Sequence, residues 1–373
     1  MTTRRRFLQQ SALLIGTQAA AALGAGLHTP AARAAVKGWH MAEENAPQAR
    51  AFIAFGAQQA IWEDYTPDVQ AALGRIARAI AAFQPVTVYC RPEERRLAEH
   101  HCGAARVRFE EAPLDDIWIR DIGPVFIADG QGSVAGVDFN FNGWGDKQRH
   151  GADSRLAKTM CDGLDIDHLR SDLVGEGGGI ETDGLGTAIM TESSWLNDNR
   201  NPRWTKAEIE QALARDLGFR KIIWLPGIKG RDITDAHVDF YARFARPGVV
   251  VANLDMDPDS YDYELTRKHL DILKRSTDAD GKPLDVHTLP PPQNPRRSRF
   301  LRDHPDFAAG YINYFVINGA VIAPEFGDAK ADAHARELLE RLYPGRKVVQ
   351  LNIDAIASGG GGIHCVTNQM PAA

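Results

Sequence analysis

The chain has 373 residues, 25% of them charged and 44% hydrophobic, with a formal net charge of −6 at neutral pH. An acidic chain repels the phosphate backbone and attracts small cations, which argues against a nucleic-acid partner. Its four cysteines (Cys90, Cys102, Cys161 and Cys365) are too few for a disulfide scaffold.

At the amino terminus, Arg4-Arg5-Arg6-Phe7-Leu8 precedes an uncharged, mildly apolar stretch from Ser11 to Leu27 and then Ala32-Arg33-Ala34. A basic segment, an apolar segment and an A-x-A site form an export signal, and paired arginines before Phe-Leu match the twin-arginine type. The stretch is rich in Ala, Gly and Gln and falls short of the ~20 strongly apolar residues of a membrane span. Cleavage after Ala34 and a periplasmic or secreted product, not held in a membrane, are expected. Twin-arginine cargo is expected to fold before export, so an oxidising compartment does not by itself imply disulfides. Loss of four arginines with the signal makes the mature chain more acidic. The remaining length exceeds one ordinary domain of ~100–200 residues and implies two domains or one repeated architecture.

Helices and strands then alternate. Thr66-Pro67 reads as an N-cap and first-turn proline before Val69, Leu73, Ile76, Ile80 and Phe83, an apolar stripe at helical spacing. Pro85 stops it, and residues 86–89 read as a strand. His100-His101-Cys102 lacks a second ligand pair at zinc-finger spacing and reads as a surface helix end. Thr205 and Glu208 fit a capping box for a helix through Ile209, Leu213 and Leu217 that stops at Gly218, followed by a strand over 221–225. Residues 290–297, rich in proline, read as a stiff surface loop. A helix over roughly 330–343 and a strand over 347–351 repeat the pattern. The runs Glu176-Gly-Gly-Gly-Ile180 and Gly360-Gly-Gly-Ile363-His364-Cys365 are alike, which suggests duplicated units.

Three segments carry chemistry. Residues 237–244, read as a strand, put His237, Asp239, Tyr241 and Arg243 on one face and Val238, Phe240, Ala242 and Phe244 on the other. Residues 115–124 gather Asp115, Asp116, Trp118, Arg120 and Asp121 before Gly123-Pro124. Glu176 precedes one glycine run, and Cys365 follows the other. Cysteine, histidine and an orienting acid make a nucleophilic site. Further carboxylates would raise the thiol pKa and repel an oxyanion, so they suit a cationic substrate; a guanidinium pairs with carboxylates bidentately and keeps its charge.

Trp118-x-Arg-Asp121-x-Gly-Pro, Glu176-Gly-Gly-Gly, His237-x-Asp239 and the glycine run ending in Ile-His-Cys365, in that order, resemble the agmatine deiminase and bacterial peptidylarginine deiminase family of the guanidino-group-modifying superfamily. Ile61-Trp62, residues 83–87, Asn199-Arg200-Asn201-Pro202 and residues 318–324 extend the resemblance over essentially the whole mature chain. It implies a pentein-like fold, a pseudo-fivefold α/β propeller of ββαβ units with the site at its axis, so residues 35–373 are expected to be a single catalytic domain. It also implies roles: Asp121 and Asp239 grip the guanidinium, Trp118 lines the pocket, Glu176 orients His237, and Cys365 attacks. Neither a cofactor nor a metal is implied, and a homo-oligomer is the family's habit.

Two other readings use the same residues. His237-x-Asp239 with His269 or His364 would copy the facial triad of a non-haem iron oxygenase, which leaves Cys365, Glu176 and Asp121 without a purpose. A periplasmic guanidinium or polyamine receptor would need Asp121, Asp239 and Trp118 but no thiol. Agmatine is the first-choice substrate and peptidyl-arginine the second. Agmatine-specific relatives usually carry Glu-Thr-Asn-Gly before the histidine, whereas this chain has Ile233-Thr234-Asp235-Ala236, leaving Asp235 as the carboxylate to face a tail amine.

Overall fold

In the computed structural model, which describes residues 38–304 and 306–372, one small unit recurs five times. The export signal lies outside the described residues. Strand β1 (Gln48–Phe55) passes through helix α1 (Thr66–Ala81) to the parallel strand β2 (Val86–Cys90), and helix α2 (Arg95–Cys102) adds β3 (Val107–Glu111) at the edge.

Four units then follow a common plan: an antiparallel pair, a helix, and a third strand parallel to the second. They are β4 (Val125–Ala128), β5 (Val134–Asp138), α3 (Leu156–Leu164) and β6 (Asp167–Arg170); then β7 (Glu181–Thr182), β8 (Thr187–Thr191), α4 (Lys206–Leu217) and β9 (Lys221–Leu225). Next come β10 (Ala242–Arg246), β11 (Val249–Asn253), α5 (Tyr263–Arg275) and β12 (Asp285–Leu289); then β13 (Phe315–Ile317), β14 (Ala320–Glu325), α6 (Ala329–Leu342) and β15 (Lys347–Asn352). The last strand, β16 (Asn368–Pro371), pairs antiparallel with β1, with Phe52 opposite Asn368. That pairing supplies the first unit with its missing strand, so all five contain ββαβ, the first with α2 and β3 in addition, and the propeller closes between the two ends of the described chain.

Local chemistry explains the repetition. Pro247-Gly248 and Asn318-Gly319 make tight hairpin turns, with glycine φ angles of +77° and +75° that L side chains rarely adopt. Middle strands, covered on both faces, are nearly continuous β-branched runs: Val249, Val250, Val251 and Ala252 in β11 are all buried. Each helix returns the chain for a parallel strand and lays an apolar stripe on the sheet, as Ile209, Leu213 and Leu217 do in α4. The apolar core runs between neighbouring blades, one cluster joining Ile189 and Ile223 of one unit to Val250, Ala252 and Leu273 of the next.

Several sequence expectations hold and others shift. The Thr205–Glu208 capping box is formed in both directions, and Gly218 ends that helix at φ +75°. Thr66, by contrast, is inside the helix: its hydroxyl donates to the Glu63 carbonyl at 2.8 Å instead of accepting from the first turn. Residues 237–244 are not one strand. Asp235 and Ala236 take positive φ (61° and 71°), Val238–Phe240 forms a 3-10 turn, and β10 begins only at Ala242. His237 and Asp239 therefore converge by a turn, not by alternation, while Arg243 belongs to a separate buried cluster and Tyr241 donates to Asp262.

Candidate active site

The segment entering the first strand of each unit supplies the polar centre. Asp121 sits on the one-turn helix Ile119–Ile122 before β4, and Glu176 opens the turn Gly177–Gly179 before β7. His237 and Asp239 precede β10, Asn313 precedes β13, and Cys365 precedes β16. Five distant stretches meet because five equivalent entrances meet.

Asp121 accepts from Gly178 N at Oδ1 and from Trp144 Nε1 at Oδ2, both at 2.9 Å, and its Oδ2 lies 3.7 Å from His237 Nδ1. Burial raises its pKa, with Glu176 and Asp239 pushing the same way against His237. Asp239 is fully buried; Oδ2 accepts from His364 Nδ1 at 2.8 Å, whereas Oδ1 has no hydrogen-bond partner. Burial would raise the Asp239 pKa, but His364, His237 and Arg243 together hold it below the usual carboxylate value. An unsatisfied buried carboxylate oxygen is costly and marks where a donor belongs.

His237 Nε2 lies 3.1 Å from Glu176 Oε2. Burial would lower the His237 pKa; Asp121, Glu176 and Asp239 reverse this and raise it to about 9, so the ring is a cation at neutral pH. Cys365 Sγ is 3.5 Å from Asp239 Oδ2 and receives the Asn313 Nδ2–H at 3.4 Å. Burial, then the charges of Asp239 and Asp121, push its thiol well above the ordinary value.

The glycines make room for this convergence. A Cβ on Gly361 would stand 2.2 Å from the Trp118 ring, and one on Gly362 would stand 2.4 Å from Asn313 Oδ1. Trp118 is fixed by donating to Asp116 Oδ2 at 2.9 Å and by its neighbour Trp62, which donates to the other oxygen of Asp116 at 2.7 Å. Asp116 thus braces the wall, Asp115 accepts from the Ala152 and Asp153 backbone, and of that acidic segment only Asp121 reaches the centre.

Asp235 departs from expectation. Its Oδ2 accepts from Lys147 Nζ at 2.6 Å, Arg200 Nη1 at 2.7 Å and Asn199 Nδ2 at 3.1 Å, and its Oδ1 accepts from Gly230 N at 2.6 Å. Burial opposes ionisation, yet these donors hold its pKa low. With the left-handed backbone at Asp235 its carboxylate meets Arg200, and both of its oxygens already accept from neighbouring donors. Arg200, Trp144 and Asn313 were not singled out by the sequence. Arg200 lies in the Asn199-Arg200-Asn201-Pro202 stretch, but nothing local tells a buried ion pair from a surface loop.

The iron-triad geometry is not formed among the described residues. His269 Nε2 is bonded to the Pro226 carbonyl, and both nitrogens of His364 face carboxylates. No group of three or more His, Cys, Asp or Glu in ligating geometry occurs among the described residues.

The profile of the Porphyromonas-type peptidyl-arginine deiminase family matches residues 40–371, nearly everything that carries this architecture. The chain belongs to that family. Relatives within it include the agmatine deiminase of Stutzerimonas stutzeri, 37% identical over 90% of this chain and 96% of the relative, and that of Pseudomonas aeruginosa, 35% identical over 93% and 99%. The solved agmatine deiminase of Enterococcus faecalis superposes with a TM-score of 0.84 at 31% identity, covering 90% of this chain and 96% of that one. The protein is therefore a guanidino-modifying hydrolase of carbon–nitrogen amidine bonds built on a pentein-type propeller.

Proposed function

We propose that the protein hydrolyses agmatine to N-carbamoylputrescine and ammonia through a covalent adduct on Cys365. The observation that carries this reading is the buried Asp239 carboxylate, whose Oδ2 lies 3.5 Å from the Cys365 thiol and whose Oδ1 has no hydrogen-bond partner, with Asp121 as a second buried carboxylate beside His237. A planar cation with several N–H donors satisfies both carboxylates and brings its electrophilic carbon to Sγ.

The charges order the steps. In the empty site burial, then Asp239 and Asp121, keep Cys365 protonated. A bound guanidinium offsets both carboxylates, so the thiol gives up its proton to solvent and the thiolate forms with substrate in place. Sγ attacks the central carbon, the bond to one terminal nitrogen breaks, and His237 gives its proton so that ammonia leaves. A positively charged amidino thioether remains on Cys365. His237, now neutral, takes a proton from water; the hydroxide adds to the carbon, the C–S bond breaks, and the ureido product departs. Such acid–base help is worth about 10²–10⁴ in rate. Glu176 keeps His237 cationic and oriented.

Burial of the reacting groups supports a small substrate: Cys365 is 9% exposed and Asp121 6%. Peptidyl-arginine, which the family's description carries, is the second reading. Ammonia release from agmatine, free arginine and a peptide with C-terminal arginine separates them; agmatine is expected to give the highest kcat/KM, and a preference for the peptide would reverse the assignment. A receptor would bind agmatine and release no ammonia. The pattern over residues 1–34 supports export of a single catalytic domain, residues 35–373, and detection of the uncleaved chain in the cytoplasm alone would refute it.

A further inference from the structure

A buried polar cluster lies beneath the site, and His364 joins the two. Its Nδ1 is 2.8 Å from Asp239 Oδ2 and its Nε2 is 2.9 Å from Glu44 Oε2. Both ring nitrogens thus face a carboxylate oxygen, and the ring bridges Asp239 and Glu44. Glu44 is itself immobilised: Oε1 accepts from Arg243 Nη2 at 2.9 Å and Val316 N at 2.7 Å, and Arg120 Nη2 approaches Oε2 at 3.4 Å. Arg243 is held in turn by Glu181 Oε2 at 2.8 Å and the Tyr314 carbonyl at 2.7 Å. The backbone of His364 is tied as firmly, its N donating to Asn313 Oδ1 at 3.0 Å and its carbonyl accepting from Arg120 Nε at 3.3 Å.

Asp239 has two oxygens and two tasks. With Oδ2 taken by His364, Oδ1 is the oxygen left for a ligand. A carboxylate with no such partner can rotate about its last bond and spread its charge over both orientations, at a cost that binding must then repay.

We propose that His364 is a positioning residue: bridging Asp239 to the fixed carboxylate of Glu44, it holds the Asp239 carboxylate in one orientation, with Oδ2 beside the Cys365 thiol and Oδ1 left to accept from the guanidinium group. The proposal rests on the deiminase reading for its substrate, and its test uses the guanidinium ion alone as well as turnover. Asparagine places a side-chain N–H₂ near the histidine Nδ1 position and glutamine places one near Nε2. His364→Asn keeps the donor to Asp239 and drops Glu44; His364→Gln keeps the donor to Glu44 and drops Asp239.

Calorimetric titration of the full-length protein with guanidinium chloride is expected to show His364→Gln binding at least tenfold more weakly than wild type, and His364→Asn within a few-fold of wild type. With agmatine, His364→Gln is expected to lose about 10²-fold in kcat/KM, the size of a lost charge-assisted hydrogen bond, mainly through KM, and His364→Asn to recover most of it. Equal losses that follow melting temperature in both variants would mean a packing role and overturn the proposal, as would undiminished binding in His364→Gln or no guanidinium binding by wild type. A wild type that binds guanidinium but releases no ammonia from agmatine counts against the substrate alone, and the ranking of the two variants by binding still decides the role of His364.

Discussion

Arg200 Nε stands 2.8 Å and 2.9 Å from the two carboxylate oxygens of Glu176, and both side chains are fully buried. The same guanidinium reaches Asp235 at 2.7 Å, so Asp235, Arg200, Glu176 and His237 form one continuous chain of contacts. Its consequence for stability is direct. Arg200→Gln removes the cation that Glu176 and Asp235 share, leaving His237 at one and Lys147 at the other, and is expected to cost about 3 kcal/mol in urea unfolding. Arg200→Lys should recover little, because one ammonium cannot serve Glu176 and Asp235 together. A loss below about 1 kcal/mol for either variant would show that the chain of contacts is not what holds Glu176.

The His237 proton gives a pH forecast. With its pKa raised to about 9, His237 can protonate the leaving nitrogen up to that pH, and kcat/KM should fall as pH rises through about 9. Glu176→Gln removes a charge and a hydrogen-bond acceptor and should move that limb down by about one unit or more while lowering kcat. An unshifted limb would remove Glu176 from this role. Stability follows the same sign: the folded value lies above the unfolded 6.5, so the contribution is complete below about 6.5 and is lost as pH climbs through about 9. Urea midpoints at the two ends of that window measure it.

The motif order in the sequence reflects the fold. Asp121, Glu176, His237 with Asp239, and Cys365 are spaced along the chain because each belongs to the entrance of a different ββαβ unit. Local signals such as the Thr205–Glu208 box located helices well, since a capping box is decided within four residues. Closure of the propeller by β16 on β1 could not be read locally, because it joins residues more than 300 positions apart. Asp235 illustrates the other limit. As a sequence feature it was a spare carboxylate next to the catalytic histidine; Arg200 and Lys147, brought in from other blades, give it different work. Glu44 left no trace at all, since a lone acid near the start of a domain looks like any surface residue.

Asp121 and Asp239 should separate from Glu176 kinetically. Asp121→Asn keeps the shape but replaces one charged acceptor, and the Trp144 indole would still meet the remaining oxygen. Asp239→Asn also sets an amide against His364. Each is expected to lose about 10²-fold or more in kcat/KM with KM raised, because a substrate cation loses a charge-assisted partner. Steady-state kinetics with agmatine check this. A fall in kcat at unchanged KM would assign either residue to the chemical step and not to holding the guanidinium.

Gly178 offers a test of where the substrate lies. It donates its N–H to Asp121, and its backbone avoids the left-handed region, so alanine is compatible with its conformation. The added Cβ would stand 2.7 Å from His237 Nδ1, 2.9 Å from Asp121 Oδ1 and 3.2 Å from Asp239 Oδ2. That methyl would enter the space among the three side chains assigned to the guanidinium. Gly178→Ala should therefore cost about 10²-fold or more in kcat/KM while melting within a few degrees of wild type, since misplacement by about 1 Å is enough to do so. Gly136→Ala is the control: its Cβ would stand 2.4 Å from Cys161 Sγ and 2.9 Å from Pro124 Cβ, and neither neighbour is one of the site residues. It should lower the melting temperature by overpacking and leave kcat/KM of the folded enzyme near wild type. Were Gly178→Ala to remain fully active, the guanidinium would have to bind elsewhere than between Asp121, His237 and Asp239.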